Sequence, residues 1–335
     1  ANRCILGQEY SILKIRRCAI FSVVDTDQPL YIYCIEQTAL SNRRSMIHFA
    51  RSPVHSPSQN KKGIPMSAEP IVLLVRADDI GFSHAANEAC IRVFTNGICR
   101  SVELMAPTPW FPEAVKLLKA HPGFDVGVHF TLTSEWENFR WRPLTGPSTI
   151  SDADGFFYRT FRKNDNYPDE TTFEQGDWRS ADVEKELRAQ IELVLKHIPW
   201  ASHATFHMGG LRDNPDFQGV VDGLNAEYGL GVDVTGAGFE RFQPFGENNQ
   251  KLSPAEKTEA LRQNLEALQP GRWLHVDHPC LDTHESRAIG HVGYENVAVD
   301  RQGVVDAWTD DRVQEIIAQR GIRLVSYGDV KNGVV

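Results

Sequence analysis

The stretch IVLLVRADDIGFSHAANEACIRVFTNG, residues 71–97, decides the fold. A nearly unbroken apolar run ends in two adjacent carboxylates and a glycine, then gives way to a helical pattern that Asn96-Gly97 closes. Such a run fits a parallel strand covered on both faces, so Asp78 and Asp79 are expected where that strand leaves the sheet. Active sites of α/β folds collect at that edge. If this strand is the first of a barrel, later strand ends should carry histidines that face it. FDVGVHFTL delivers His129, SHATFHMGG delivers His207 and RWLHVDHPC ends near His278. Each motif alone is weak; their recurrence is the argument.

The order outward from that strand is regular. Ser83 can cap a helix over about 85–95, and SVELMA (101–106) reads as a second strand. Pro109 can begin the next helix, FPEAVKLLKA, and FDVGVHF follows as the third strand. The alternation pauses over 131–180, a segment rich in aromatic, glycine and charged residues with no sustained period. A loop of that length inside a compact domain suggests a lid or substrate wall. Its Trp136, Phe139, Trp141, Phe156, Phe157 and Tyr158 can stack on sugar rings or bury against one another. A helix over 181–198 resumes the pattern. After it come a helix from Pro215, a short strand GVDVTG, the helix PAEKTEALRQNLEAL, the strand WLHVDHP, a short helix THESRAIGH, the helix TDDRVQEIIAQRG and a last strand IRLVSYGDV. About seven βα-like units around one core predict a distorted TIM-like (β/α) barrel with about seven parallel strands; an open parallel sheet is the alternative.

The 335 residues carry a net charge of −9, which argues against nucleic acid as a partner. Six cysteines without paired C-x-x-C spacing read as reduced thiols, consistent with a cytoplasmic location, and no apolar run is long enough for a membrane span. The first 65 residues stand apart, with nine Lys or Arg against four Asp or Glu and a linker-like RSPVHSPSQNKKGIP. They read as an ordered extension, a targeting segment, or a segment not native to a protein that begins near Met66. The third reading is favoured, with residues 66–335 as a single barrel domain. Oligomeric state is open, a homodimer being one alternative.

Asp79, His129 and His207 together offer one carboxylate oxygen and two imidazole nitrogens, a facial set that suits Zn²⁺ or another divalent ion with positions left for water and substrate. Asp78 beside them can accept a proton from a polarised water, or can be a helix cap or ion-pair partner. His278, held extended by Pro279, can donate a proton to a departing amine or alkoxide, or can simply hold Asp78 or Asp277. His203 and His275 compete for these roles. Arg76 can steady a carboxylate or contact substrate, Asn87 can bond to either aspartate, and Arg287, Glu295 and Arg301 can bind a polar substrate. Nucleotide-binding glycine loops and the G-x-S-x-G elbow are absent.

The runs ADDIGFSHAANEA, NGICRSVELMAP, GVHFTLT, HMGG, HPCLDTHESRAIGHVGYENV and GIRLVSYGDV occur in order. From about Ile71 to Val330 the chain thereby resembles the YdjC-like carbohydrate deacetylases, a family that includes chitooligosaccharide deacetylases. The resemblance implies a barrel-like α/β fold, an N-acetylated sugar or oligosaccharide as substrate, and one divalent ion, with Zn²⁺ or Mg²⁺ the leading choices. It also implies removal of the acetyl group by attack of metal-bound water, assisted by a general base. It assigns Asp78 as that base, Asp79, His129 and His207 as metal ligands, and His278 as proton donor. Arg76, Asn87, Trp136, Trp141 and Arg287 are the candidates for substrate contact. Two positions depart from the family's pattern: Thr205 stands where an aspartate is common, and Cys280 follows His278-Pro279 in place of glycine. A non-sugar amide or ester as substrate and a non-catalytic carbohydrate-binding homologue are the alternatives.

Overall fold

The computed structural model describes residues 69–335, Asn248 apart. The expectations for residues 1–65 lie outside these.

Among the described residues seven parallel strands form one sheet. β1 (Ile71–Ile80) is central and almost wholly buried, as its apolar run Ile71–Val75 requires. β2 (Ser101–Leu104), β3 (Asp125–Phe130) and β4 (His203–Phe206) follow on one side, β6 (Gly271–Asp277) and β5 (Phe239–Arg241) on the other, giving the order β4-β3-β2-β1-β6-β5. β7 (Arg323–Val325) shares an edge of β1 with β2: β7 takes Val72–Leu74 and β2 takes Arg76 onward. β6 runs along the whole opposite edge, from Ile71↔Gly271 to Ala77↔Asp277. The sheet curls as an incomplete barrel, with β4 and β5 at its two ends.

Residue parity separates the two faces of the curl. Leu73, Val75 and Ala77 of β1, Val102 and Leu104 of β2, and Val126 and Val128 of β3 pack in the large core under the helices. Val72 and Leu74, the opposite parity, meet Phe239, Leu274, Val325 and Tyr327 in a small apolar plug. The same parity continues upward into Arg76 and Asp78, and on neighbouring strands into Glu103, His129, His203 and Thr205. The lower interior is therefore apolar and the upper interior charged.

The helices cover the outside: α1 (His84–Thr95), α2 (Phe111–Ala120), α3 (Ser180–His197), α4 (Pro215–Tyr228), α5 (Pro254–Ala267), α6 (Val297–Thr309), α7 (Asp311–Gln319) and the short α8 (Tyr327–Lys331). Several differ from the sequence expectation. α2 starts at Phe111, two residues after Pro109, with Pro112 in its first turn. GVDVTG is a turn, because the Asp233 carboxylate accepts from the Gly236 N–H at 2.7 Å; the strand comes after it, at Phe239. THESRAIGH contributes only a 3-10 turn, Ser286–Ala288. The final strand stops at Val325, where Ser326 caps α8. α6 was not expected: Asp300, Arg301 and Gly303 are all buried in it, so no polar stripe marks it in the sequence.

Over 131–179 the chain has no helix or strand of its own, yet it is packed. Phe161 and Phe173 lie with ring centroids 5.3 Å apart, and both pack on Phe217 of α4 at 6.0 Å.

Candidate active site

The site starts with a break in β1. Against β2, Ala77 pairs with Val102 and Ile80 with Leu104, so three steps on β1 oppose two on β2. This bulge falls on the two aspartates. Asp79 takes φ 75°, a conformation that costs a non-glycine residue about 1–2 kcal/mol. Strict alternation would send Asp78 and Asp79 to opposite faces; the bulge turns both into the interior. The chain then leaves through Gly81 at φ 109°, whose N–H donates to Asn87 Oδ1 at 2.7 Å. A side chain at 81 would press on the Met105 carbonyl at 3.0 Å. Asn87, fully buried, donates in turn to the Trp110 carbonyl and to Glu113 at 3.2 and 2.9 Å, so here it ties the turn together.

Three strand ends converge on Asp79. Its Oδ1 lies 3.1 Å from His207 Nδ1 and 3.4 Å from His129 Nε2. One donor atom from each of the three residues falls within 4.8 Å of the others, and all three side chains are buried. His207 sits just past β4, where Met208, Gly209 and Gly210 all take positive φ (52°, 83° and 72°) and swing the chain away. Its far nitrogen, Nε2, meets Glu135 Oε2 at 2.9 Å. His129 Nδ1 is 3.0 Å from Thr205 Oγ1, directly across the β3–β4 pair. With Nδ1–H donated to that hydroxyl, the Nε2 lone pair faces Asp79.

The donor set suits a divalent cation. Two imidazole nitrogens and a carboxylate oxygen converge, and each imidazole has its other nitrogen fixed by an oxygen, as metal-binding histidines require. Burial alone would push the Asp79 carboxyl up, but His207 and His278 hold it well below the usual carboxylate range. Burial likewise opposes charge on His207, yet Glu135 and Asp79 raise it to about 10. The same two carboxylates would attract a cation.

Asp78 stands beside this cluster, gripped by Arg76: Nε to Oδ1 at 2.7 Å and Nη2 to Oδ2 at 2.9 Å. Arg76 also donates to Tyr327 Oη at 2.8 Å, and the acidic neighbours keep its guanidinium charged despite burial. Asp78 Oδ2 is 3.9 Å from His129 Nε2. On the opposite side, His278 Nε2 is 4.0 Å from Asp79 Oδ2 and the ring is 38% exposed, so one flank of the cluster opens outward. Desolvation works against the imidazolium, but Asp79 and Asp277 raise the His278 pKa above its ordinary value. Arg301 Nη1 also reaches Asp79 Oδ2, at 3.3 Å.

The remaining sequence candidates are spread more widely. Trp136 is buried, stacked on His291 at 5.6 Å with the Arg301 guanidinium 5.1 Å from its ring centre. Trp141 is buried too; its indole donates to the Thr133 carbonyl at 2.9 Å and its ring lies 6.1 Å from His207. Arg287 is outside the cluster, paired with Asp282 on the surface and lining a groove with Glu137, Asn138 and Glu295. Of the competing histidines, His275 packs against Trp308 under α6, and His203 bonds to Glu103 below the site. Sequence reasoning missed Glu135 and Glu103. Glu135 lies in the unpatterned segment, where nothing marks it; Glu103 was visible as a carboxylate inside the apolar run SVELMA.

An incomplete α/β barrel whose strand ends gather two histidines and two aspartates around one point is thus the class that fold and site define. The chain belongs to the YdjC-like protein family, whose sequence model matches residues 72–319. A carbohydrate deacetylase of Listeria monocytogenes is 35% identical over 137 residues, covering 40% of this chain and 50% of the relative. The chain thus spans about half the length of the curated relatives it matches first. A carbohydrate deacetylase of Thermus thermophilus is 29% identical over 242 residues, 65% of this chain and 81% of the relative. A solved structure from Enterococcus faecalis, described as a candidate cellobiose-phosphate cleavage protein, shares the fold with TM-score 0.60 at 22% identity, over 78% of this chain and 99% of that one.

Proposed function

We propose that the protein is a metal-dependent hydrolase that removes an acetyl group from an N-acetylated sugar or oligosaccharide. One observation carries the reading. Asp78, held through both oxygens by Arg76, lies beside the Asp79–His129–His207 donor set, with the half-exposed His278 across from it. The names of the Listeria and Thermus relatives point the same way.

The residues divide the work. Asp79, His129 and His207 would hold one divalent ion. Two imidazoles and one carboxylate suit Zn²⁺, with Mg²⁺ the second choice. When bound, that ion supplies Lewis acidity toward the acyl oxygen and acidifies water. Asp78 takes the proton from the attacking water; the grip of Arg76 fixes the carboxylate in one orientation for that transfer. His278, raised in pKa and open on one side, gives a proton to the departing amine. Glu135 holds His207 in place from behind. Trp136 and Trp141 shape the wall from within, and Arg287 in its surface groove would meet a distal part of the substrate.

Residues 66–335 are proposed as a single catalytic domain. Among the described residues Cys90, Cys99 and Cys280 are buried free thiols, which fits a reducing, cytoplasmic setting. Among the described residues no helix is long and apolar enough to cross a membrane.

Acetate release tests the proposal. Protein stripped of metal and refilled with Zn²⁺, Mg²⁺, Mn²⁺, Co²⁺ or Ni²⁺ is assayed against N-acetylated mono- and disaccharides, and metal-dependent acetate is the expected result. No release from protein with metal bound would reject the sugar substrate, and release from a simple amide or ester instead would identify the acyl class.

A further inference from the structure

Below the metal-type cluster, three residues lie in register on neighbouring strands: Glu103 on β2 pairs with Gly127 on β3, and Gly127 with His203 on β4. Adjacent strands are about 4.8 Å apart, so side chains two strands apart are normally separated by the one between them. Yet Glu103 Oε1 and His203 Nε2 are 2.7 Å apart. Gly127 makes this contact, because a Cβ there would collide with both Glu103 Oε2 and His203 Nε2. Both partners are fully buried. The His203 ring is fixed further, by Ser202 Oγ at 2.7 Å from Nδ1 and by the Tyr327 ring stacked on it at 4.0 Å.

What Glu103 does with its remaining capacity points upward. Oε2 is buried and has no hydrogen-bond partner among the described residues, an expensive state for a carboxylate whose only task is to pair with His203. That oxygen lies 3.8 Å from His129 Nδ1, while Oε1 is 3.7 Å from Arg76 Nε. One carboxylate thus lies against the guanidinium that grips Asp78 and against the imidazole on the other side of the cluster.

We infer that Glu103 is a positioning residue for the reaction: seated by Gly127 and His203, it fixes Arg76, and through it Asp78, while supporting His129 from beneath. The inference rests on the deacetylase reading, and the test separates the two.

E103Q keeps the shape and loses the charge. Its Zn²⁺ affinity, read by competition with a chelating indicator, should fall about tenfold or more, and kcat should fall about 10–100-fold with KM within about twofold. G127A, which forces the carboxylate aside, should move both readouts the same way. A folded E103Q with wild-type Zn²⁺ affinity and kcat overturns the inference. Should E103Q fail to fold, the double variant E103Q/H203Q neutralises the buried pair together, and full Zn²⁺ affinity and turnover in it overturn the inference equally. If wild-type protein binds Zn²⁺ but releases no acetate, the deacetylase reading fails, and the Zn²⁺ affinity of E103Q alone decides the role of Glu103.

Discussion

Glu135 Oε2 lies 2.9 Å from His207 Nε2, on the far side of the ring from Asp79. A carboxylate in that position fixes the tautomer that leaves Nδ1 free to bind a cation and makes the ring a stronger donor. Replacing Glu135 with glutamine should therefore weaken Zn²⁺ binding by about 10–100-fold while leaving Asp79, His129 and His207 in place. Indicator competition on the folded variant measures it. Undiminished affinity would show that Glu135 does not support the metal.

If Asp78, held by both of its oxygens to Arg76, is the base proposed above, its loss should separate metal binding from turnover. Asp78→Asn should retain bound metal and lose about 10²–10⁴ in kcat, since an amide cannot take the proton. Arg76→Lys keeps the charge but not the two parallel bonds, and should lose less. Metal analysis beside initial rates checks both variants, and a D78N variant with most of its activity would remove Asp78 as the base.

His278 is the most exposed of the cluster, so its loss should be felt in rate rather than in stability. His278→Gln is expected to change the unfolding free energy by less than about 1 kcal/mol and to lower kcat by about 10²-fold or more. Urea titration and steady-state rates on one preparation give both numbers.

His275 predicts a pH dependence that has nothing to do with catalysis. It accepts from Trp308 Nε1 at 3.1 Å through Nε2, and its Nδ1 is 3.2 Å from the Phe242 carbonyl, so the neutral ring is what this pocket holds. Burial pulls its pKa down to about 4, with Asp277 opposing the shift only in part. The unfolded chain, with an ordinary histidine pKa near 6.5, takes up the proton first. The stabilisation is thus whole above pH 6.5 and is lost as pH falls toward 4, about 3 kcal/mol in all. Urea unfolding at pH 7, 5.5 and 4 should show this loss in wild type, and a smaller one in His275→Gln.

The barrel was legible because β1 announces itself: an apolar run with no alternation has few other homes. His129 and His207 were legible for the same reason, each closing a short apolar strand. The bulge at Asp78–Asp79 was legible only as a requirement, that both aspartates face inward, since register against β2 is not written in one strand. α6 was hidden because its charges are inside, Asp300 bonded by Tyr294 and Arg301 reaching Asp79, which erases the periodic stripe. Glu135 was hidden by its setting in an irregular segment. The aromatic residues there were legible as a packed group, but not in which direction they pack; Trp136 and Trp141 face inward.

The pairing of β1 also bears on how the chain reaches this state. Ile71 pairs with Gly271 and Val72 with Arg323, partners some 200 and 250 residues downstream. The strand that carries both aspartates is the first of the described strands to be made, and it must wait for β6 and β7 before its edges are covered. Loops that long close slowly, and until they do the apolar half of β1, Ile71–Val75, stands unpaired, since β2 covers only Arg76 onward. The acidic pair at its end, and Arg76 within it, then act as gatekeepers: three charges in four residues interrupt the run that would otherwise template aggregation. The residues proposed to serve the reaction would thus first protect the chain during assembly.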